Sequence, residues 1–235
     1  MTATLSLPPL RYRAAHLATS LLVLALSLLT VSLAYAQQDP AARADLQTLR
    51  AKYTQGGAID ARVQLDIKFP ESPAESQTGR IVQDGEKYFI QFAGQEVTSD
   101  GETMWLYLPD NKEVQVYDAK ELAQGGGSAA FTRPQDILDL YDSGAFDYAI
   151  VGTAQAAGRD MRQIEFKPLE RDSEFAKMRL TYDPAREEIY RVEVFNKDGS
   201  RFTLTMTDVR VGAEVPPSTF VFAAEPGVRV EDMRL

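Results

Sequence analysis

Residues 59–69 read IDARVQLDIKF and alternate apolar with polar side chains at every step. Because successive side chains of a β-strand point to opposite faces, this alternation predicts a strand with one face in a core and one in water. A helix would repeat its apolar positions every three or four residues instead. The segment therefore predicts a sheet whose two faces differ.

Segments of the same kind recur along most of the chain, separated by turn sequences such as Asp84-Gly85, Asp100-Gly101 and residues 196–199. Short links join antiparallel neighbours. Since a long open sheet leaves exposed edges, about eleven strands are expected to curve into an incomplete antiparallel barrel. Besides 59–69, the predicted strands are 80–83, 87–92, 103–108, 113–117, 146–151, 161–166, 177–182, 188–195, 201–209 and 220–222.

Helical segments interrupt this pattern at two places. Asp39 and Pro40 have the residue types of an N-cap and a first helical position, and Gly56-Gly57 ends the helix that they begin. A helical turn at 118–124 and the link 125–128 precede a second helix that opens at 132–135. The fold class is therefore α+β, with helices that cover one mouth or face of the sheet. The expected lid residues are Leu46, Leu49, Tyr53, Ile137, Leu138 and Tyr141.

The N-terminal segment has the pattern of a secretory signal. Arg11 and Arg13 precede a Leu-rich apolar stretch, and Ala34-Tyr35-Ala36 is a small-x-small cleavage site. A membrane anchor is the alternative, because the apolar stretch is about as long as a membrane span. We expect cleavage after residue 36, which gives a signal peptide at 1–36, a single domain at 37–235 and a periplasmic location.

Composition excludes several kinds of chemistry in the mature chain. The single histidine, His16, lies in the predicted signal and there is no cysteine, so Ser-His-Asp and Cys-His sites are excluded. A Ser-Lys hydrolase remains an alternative, but no G-x-S-x-G occurs. The carboxylates of Asp136, Asp139 and Asp142 are interpreted as solvated charge rather than as a metal site. Neither an enzyme nor a cofactor is expected.

Charge narrows the choice of partners. Without Arg11 and Arg13, 23 basic residues stand against 34 acidic ones, a net charge of −11. Such a charge repels nucleic acid and disfavours electrostatic docking on an anionic membrane. It serves either solubility or contact with a basic partner.

Apolar faces on three strands predict either a core or an open apolar hollow. Both faces of 103–108 are apolar, so the side of this strand that joins the others stays open. A curved sheet with two short helices leaves room for a ligand, and acyl chains would fill it by burial of apolar surface. The predicted cavity residues are Tyr88, Ile90, Phe92, Met104, Trp105, Leu106, Phe202, Leu204 and Met206.

Five sequence blocks together resemble the LolA family of periplasmic outer-membrane lipoprotein carriers. The block 99–109, SDGETMWLYLP, is the most specific of them, and 111–116 is more similar to a Bacteroidetes-like branch of the family than to its proteobacterial one. The other blocks are 78–82 (TGRIV), 87–89 (KYF), 220–222 (FVF) and 226–232 (PGVRVED).

This resemblance implies an incomplete barrel lidded by helices, whose cavity holds the acyl chains of a lipoprotein. It also implies an inner-membrane ABC exporter as donor and an outer-membrane acceptor, LolB-like or of another kind. Tyr88 and Ile90 correspond to cavity-lining positions. Residues 83–86, QDGE, lack the family's lid-binding arginine, so we expect a more open or differently latched cavity. The alternative is a lipid-binding or envelope-stress sensing module, which usually has a second domain.

Overall fold

One sheet dominates the computed structural model, which describes residues 38–124 and 134–234. In that part of the chain the sheet has twelve strands: β1 (Ile59–Lys68), β2 (Glu75–Asp84), β3 (Lys87–Phe92), β4 (Gln95–Ser99), β5 (Thr103–Leu108), β6 (Glu113–Asp118), β7 (Phe146–Ala156), β8 (Arg159–Pro168), β9 (Phe175–Asp183), β10 (Glu188–Asn196), β11 (Arg201–Val211) and β12 (Arg229–Asp232). The helices in the same residues are α1 (Pro40–Gln55), α2 (Ala119–Gln124) and α3 (Pro134–Asp139).

The strand order is β12-β6-β5-β4-β3-β2-β1-β11-β10-β9-β8-β7, with β12 and β7 at its two edges. Every neighbouring pair is antiparallel except β12 with β6, which is parallel. The predicted α+β fold with an incomplete antiparallel barrel is confirmed, because the sheet is open and few helices accompany it. The predicted signal peptide and the link 125–128 lie outside the described residues, as do Thr132 and Arg133.

Three strand predictions need correction. β4 and β12 were not predicted, and residues 220–222 do not form a strand: Phe220 ends a 3-10 helix, Pro217–Phe220. Pro216 and Pro217 lack backbone N–H groups, so this entry cannot donate to a sheet ladder. The twelve strands therefore replace the expected eleven by two additions and one loss.

α1 is fixed at its first turn to the edge strand β7. Asp39 caps the helix, with Oδ1 accepting hydrogen bonds from the N–H groups of Ala41 at 2.9 Å and Ala42 at 3.3 Å. Its Oδ2 accepts a further bond from the N–H of Ile150 in β7 at 3.0 Å. These bonds, that from Ile150 foremost, lower the pKa of Asp39. The predicted N-cap is confirmed, and it also orients the helix.

The apolar stripe of α1 packs against the sheet as predicted, with Leu46, Leu49 and Tyr53 buried. The Tyr53 hydroxyl accepts a hydrogen bond from the N–H of Ile189 in β10 at 3.0 Å. Asp45 binds the Tyr182 hydroxyl in β9 and, at 2.8 Å, the guanidinium of Arg162 in β8. α1 is thus bonded to each strand from β7 to β10.

α3 and the 3-10 helix Leu140–Asp142 pack beside α1, and Ile137, Leu138 and Tyr141 are buried as predicted. The carboxylates interpreted as solvated charge have partners: Asp139 lies 2.8 Å from Arg50 Nε, and Asp142 lies 3.2 Å from Arg43. Both arginines belong to α1, so these ion pairs join the two helices.

Candidate functional site

The inner face of the sheet, defined as the face against which α1 packs, carries a continuous apolar surface. Ile81 pairs with Ile90, Ile90 with Val97, and Val97 with Leu106, so these four side chains share one face across β2 to β5. Ile81 and Ile90 belong to the same buried cluster as Leu46 of α1. The register therefore places the core and the predicted cavity residues on one surface.

Part of this inner face lacks full cover. Its side chains on β7 to β10 are buried under α1 and α3, and Ile164, Phe166 and Leu180 are 0% exposed. On β3 to β5, and toward one end of β1 and β11, side chains of the same types are only half-buried. Among the described residues these form the set that we name the open strip: Leu65, Ile67, Tyr88, Phe92, Val97, Met104, Leu106, Leu108, Phe202 and Leu204.

Cross-strand pairing makes the open strip contiguous. Leu65 lies opposite Leu204, and Ile67 lies opposite Phe202. Phe92 extends over Gly79 of β2, where an added Cβ would stand 2.6 Å from the Phe92 ring and 2.2 Å from the carbonyl oxygen of Gln91. Because only glycine leaves this space, the residue type at position 79 sets the position of an aromatic ring in the strip.

A row of polar side chains on β6 borders the strip. Gln115, opposite Leu106, donates a hydrogen bond to Glu113 at 2.8 Å and accepts one from the Tyr117 hydroxyl at 2.6 Å. The bond from Gln115, followed by that from Arg229, lowers the pKa of Glu113. The apolar surface thus ends at a strand whose inner side chains hydrogen bond to one another.

Trp105 lies on the opposite, outer face, which corrects its place in the predicted cavity. It pairs with Thr98 and Val116, while its neighbours Met104 and Leu106 face inward. The Trp105 ring stacks on Phe222 with centroids 6.4 Å apart and planes 22° apart, and Tyr107 contacts the same ring at 5.6 Å. The C-terminal segment therefore covers this outer cluster, and Trp105 seals the fold there.

The remaining predicted cavity residues share the inner face but differ in burial. Ile90 and Met206 are fully buried core residues, at 4% and 3% exposure. Tyr88, Phe92, Met104, Leu106, Phe202 and Leu204 belong to the open strip. Ligand binding by these residues stays a prediction.

Sequence reasoning missed four members of the strip: Leu65, Ile67, Val97 and Leu108. The alternation in 59–69 already contained Leu65 and Ile67, and continuing it past Val63 would have found them. Val97 lies on the unpredicted β4.

Arg80 does not replace the missing lid arginine. It lies on the outer face, where its Nε and one terminal nitrogen each lie 2.9 Å from the carboxylate of Asp60. Arg210 binds the same carboxylate. The hydrogen bonds from Arg80, with the positive charge of both arginines, lower the pKa of Asp60 despite its burial.

The chemistry of the site is that of apolar contact. In the residues that the structure describes, no group of three or more His, Cys, Asp or Glu side chains is placed to hold a metal ion. No described helix combines the length and the apolar character needed to cross a bilayer.

Residues 93–223 match the family described as outer membrane lipoprotein carrier protein LolA. This match spans more than half of the chain. The chain belongs to the LolA family. A relative from Dechloromonas aromatica (strain RCB), described as an outer-membrane lipoprotein carrier protein, is 23% identical over 184 residues, 78% of this chain and 81% of the relative.

Solved structures show the same fold at low identity. An uncharacterized conserved protein from Thermus thermophilus has a TM-score of 0.55 at 11% identity, covering 82% of this chain and 99% of that one. A LolA superfamily protein from Nitrosomonas europaea has a TM-score of 0.40 at 13% identity, covering 80% and 99%.

The region matched to the LolA family holds six of the ten strip residues, from Val97 to Leu204. Leu65, Ile67, Tyr88 and Phe92 precede it. Register joins the two groups, since Leu204 and Phe202 lie opposite Leu65 and Ile67. The open strip of this LolA-family chain is therefore assembled from inside and outside the matched region.

Proposed function

We propose that this LolA-family protein is a periplasmic carrier that binds the acyl chains of lipoproteins along the open strip. The observation that supports this most is the strip itself, an apolar surface continuous with the core and only half-buried in the described residues. A surface of that kind, bordered by the polar row of β6, matches the chemistry of an acyl chain beside a polar peptide.

The energy of such binding is sufficient without charged contacts. Each buried methylene contributes about 0.8 kcal/mol, so about ten of them contribute about 8 kcal/mol, which corresponds to roughly micromolar affinity. Several chains add to this sum, while immobilisation of cargo and protein subtracts from it. Binding of this magnitude is reversible, as delivery requires.

In this proposal the protein receives lipoproteins from an inner-membrane ABC exporter and passes them to an outer-membrane acceptor. It performs no covalent chemistry, consistent with a mature chain without histidine or cysteine. Release is driven by an acceptor that offers the chains a better apolar environment.

Native mass spectrometry of the mature protein from the periplasm of its own organism tests the proposal. Bound acylated polypeptide is the expected result. Free lipid alone would replace the carrier proposal with the lipid-binding or sensing alternative, and a protein free of both in all preparations would overturn it.

A matched pair of variants assigns the ligand to the strip. Leu106→Asn places an amide in the strip, whereas Val151→Asn changes a side chain that is 49% exposed on β7. We expect bound acyl mass to fall in Leu106→Asn and to stay unchanged in Val151→Asn. Equal retention in both variants would contradict the assignment.

A further inference from the structure

A ladder of basic side chains crosses the outer face of the sheet at one end. Lys177 of β9, Phe195 of β10, Arg201 of β11 and Lys68 of β1 are successive cross-strand neighbours. Three cations surround the Phe195 ring: Arg201 at 4.5 Å from its centroid, Lys177 at 5.1 Å and Arg179 at 5.7 Å. Like charges on adjacent strands are destabilising, so this arrangement costs stability.

Acidic side chains compensate the ladder only in part. Glu165 binds Lys177 at 2.8 Å and Arg179 at 2.9 Å, and lies 3.7 Å from Lys167. Burial raises the pKa of Glu165, but the bonds to Lys177 and Arg179 outweigh burial and lower it.

Two further acids share these strands. Glu193 lies opposite Arg179, and Asp147 lies opposite Lys167. Lys68, Lys167, Lys177, Arg179 and Arg201 thus outnumber Glu165, Glu193 and Asp147 by two, in a chain of net charge −9. Within the described residues, Lys68 and Arg201 make no ion pair.

Two exposed apolar side chains follow the cations directly. Phe69 comes after Lys68 and is 47% exposed, and Leu169 comes two residues after Lys167 and is 54% exposed. The Phe69 ring meets Phe202 of the open strip edge-on, with centroids 6.1 Å apart. Exposure along β1 rises toward this end, from buried Val63 through half-buried Leu65 to Phe69. The ladder therefore borders the end at which the strip opens.

We propose that this end of the sheet docks on a membrane surface of anionic phospholipids, with the cations on the phosphates and with Phe69 and Leu169 among the headgroups. Cations beside protruding apolar side chains are the composition that binds such interfaces. An acidic polypeptide would use the cations but not the apolar side chains. Docking would bring the open strip to the bilayer, so its purpose rests on the proposed acyl-chain binding.

The negative charge of the whole chain does not oppose this docking at the ladder. Glu170, Asp172 and Glu174 in the β8–β9 loop are the nearest acidic group at this end. β1 lies three strand spacings, about 14 Å, from β9, which exceeds the Debye length of about 8 Å at physiological salt. Lys68 and Phe69 are therefore screened from that loop, and they are expected to make first contact.

Vesicle flotation tests the proposal with the mature protein. The vesicles contain phosphatidylcholine alone or phosphatidylcholine with one third phosphatidylglycerol, each at low and at high salt. We expect binding to the anionic vesicles only, weakened by salt. Equal binding to both vesicles, or to neither, would overturn the proposal, as would binding to a polyglutamate peptide in place of vesicles.

Variants locate the contact. Lys68→Gln and Arg201→Gln are each expected to lower vesicle affinity about fivefold, and Phe69→Ser to lower it as well. Lys87→Gln is the matched control, because Lys87 is exposed at the opposite end of the sheet, paired with Asp84. An equal loss in Lys87→Gln would assign the binding to overall charge and overturn the ladder.

Acyl binding measured without vesicles separates this inference from the proposed function. Loss of docking with acyl mass retained refutes the docking proposal alone. Docking by a protein that never carries acyl mass refutes the carrier proposal and leaves the docking surface in place.

Discussion

The two halves of the inner face have similar side chains and different surroundings. On β7 to β10, Ile164, Phe166 and Leu180 are closed off by α1 and α3, while Leu106 and Phe92 on β3 to β5 stay half-buried. Strand periodicity is the same in both halves. What distinguishes core from binding surface is therefore the element that covers it, not the residue type on the strand.

The cover is asymmetric because of where α1 is anchored. Its named bonds reach β7 through Asp39, β9 through Asp45 and β10 through Tyr53. Its partner helix α3 is joined to it by the pairs of Arg50 and Arg43. These anchors hold both helices over one half and leave the strip half-buried.

The largest contrast is expected between leucines of the two halves. Leu46→Ala removes a fully buried side chain from α1 and is expected to lower the free energy of unfolding by about 3 kcal/mol. Leu106→Ala in the strip is expected to cost about 1 kcal/mol but to weaken acyl binding severalfold. Urea unfolding and native mass spectrometry of both variants measure the two effects. A reversed order of stabilities would mean that the halves do not differ as described.

A second contrast lies at Gly79. An alanine Cβ there would overlap the Phe92 ring and the Gln91 carbonyl, so Gly79→Ala is expected to destabilise by about 2 kcal/mol and to displace the ring. Gly85→Ala is the control, since nothing lies within 4 Å of a Cβ at that turn, and its positive φ adds about 1 kcal/mol. Unfolding midpoints give the stabilities, and acyl binding should fall only in Gly79→Ala.

A smaller effect is expected where the cover begins. Asp39→Ala removes the N-cap and the bond to Ile150, at a cost of about 1 kcal/mol at neutral pH. The pKa of Asp39 is lowered in the folded state, so its stabilisation is present above the unfolded pKa of about 3.9 and is lost as pH falls through the folded pKa. The difference between wild type and Asp39→Ala should therefore shrink in acid. A constant difference down to acid unfolding would contradict this.

The smallest effect concerns the pair of Arg50 and Asp139. Both side chains are more than one third exposed, so a double-mutant cycle is expected to give a coupling energy of about 0.5 kcal/mol that decreases with salt. A salt-independent coupling well above this value would make the pair a principal anchor of α3.

Sequence periodicity predicted most of the fold because strand alternation and helix caps are local signals. Asp39, Pro40 and the stripe of Leu46, Leu49 and Tyr53 behave as predicted. β4 was missed because 95–99, QEVTS, carries one aliphatic residue. β12 was missed because its short sequence depends on pairing with β6, far away along the chain.

The site was less predictable because cover is a tertiary property. Both faces of 103–108 are apolar, and only the return of Phe222 onto the outer face decides that Trp105 faces away from Leu106. Equally, no local signal shows that Leu180 is covered and Leu204 is not. Residue type limited the choice to apolar surfaces, and the packing of α1 made it.

The neighbours Trp105 and Leu106 allow the most direct measurement of the central claim, that the open strip holds the acyl chains. A photo-crosslinking amino acid is placed at either position of the mature protein, which is then irradiated with a triacylated peptide. We predict crosslinking to the acyl chains from position 106 and none from position 105. Crosslinking from 105 alone, or equally from both, would contradict the assignment of the inner face as the binding surface.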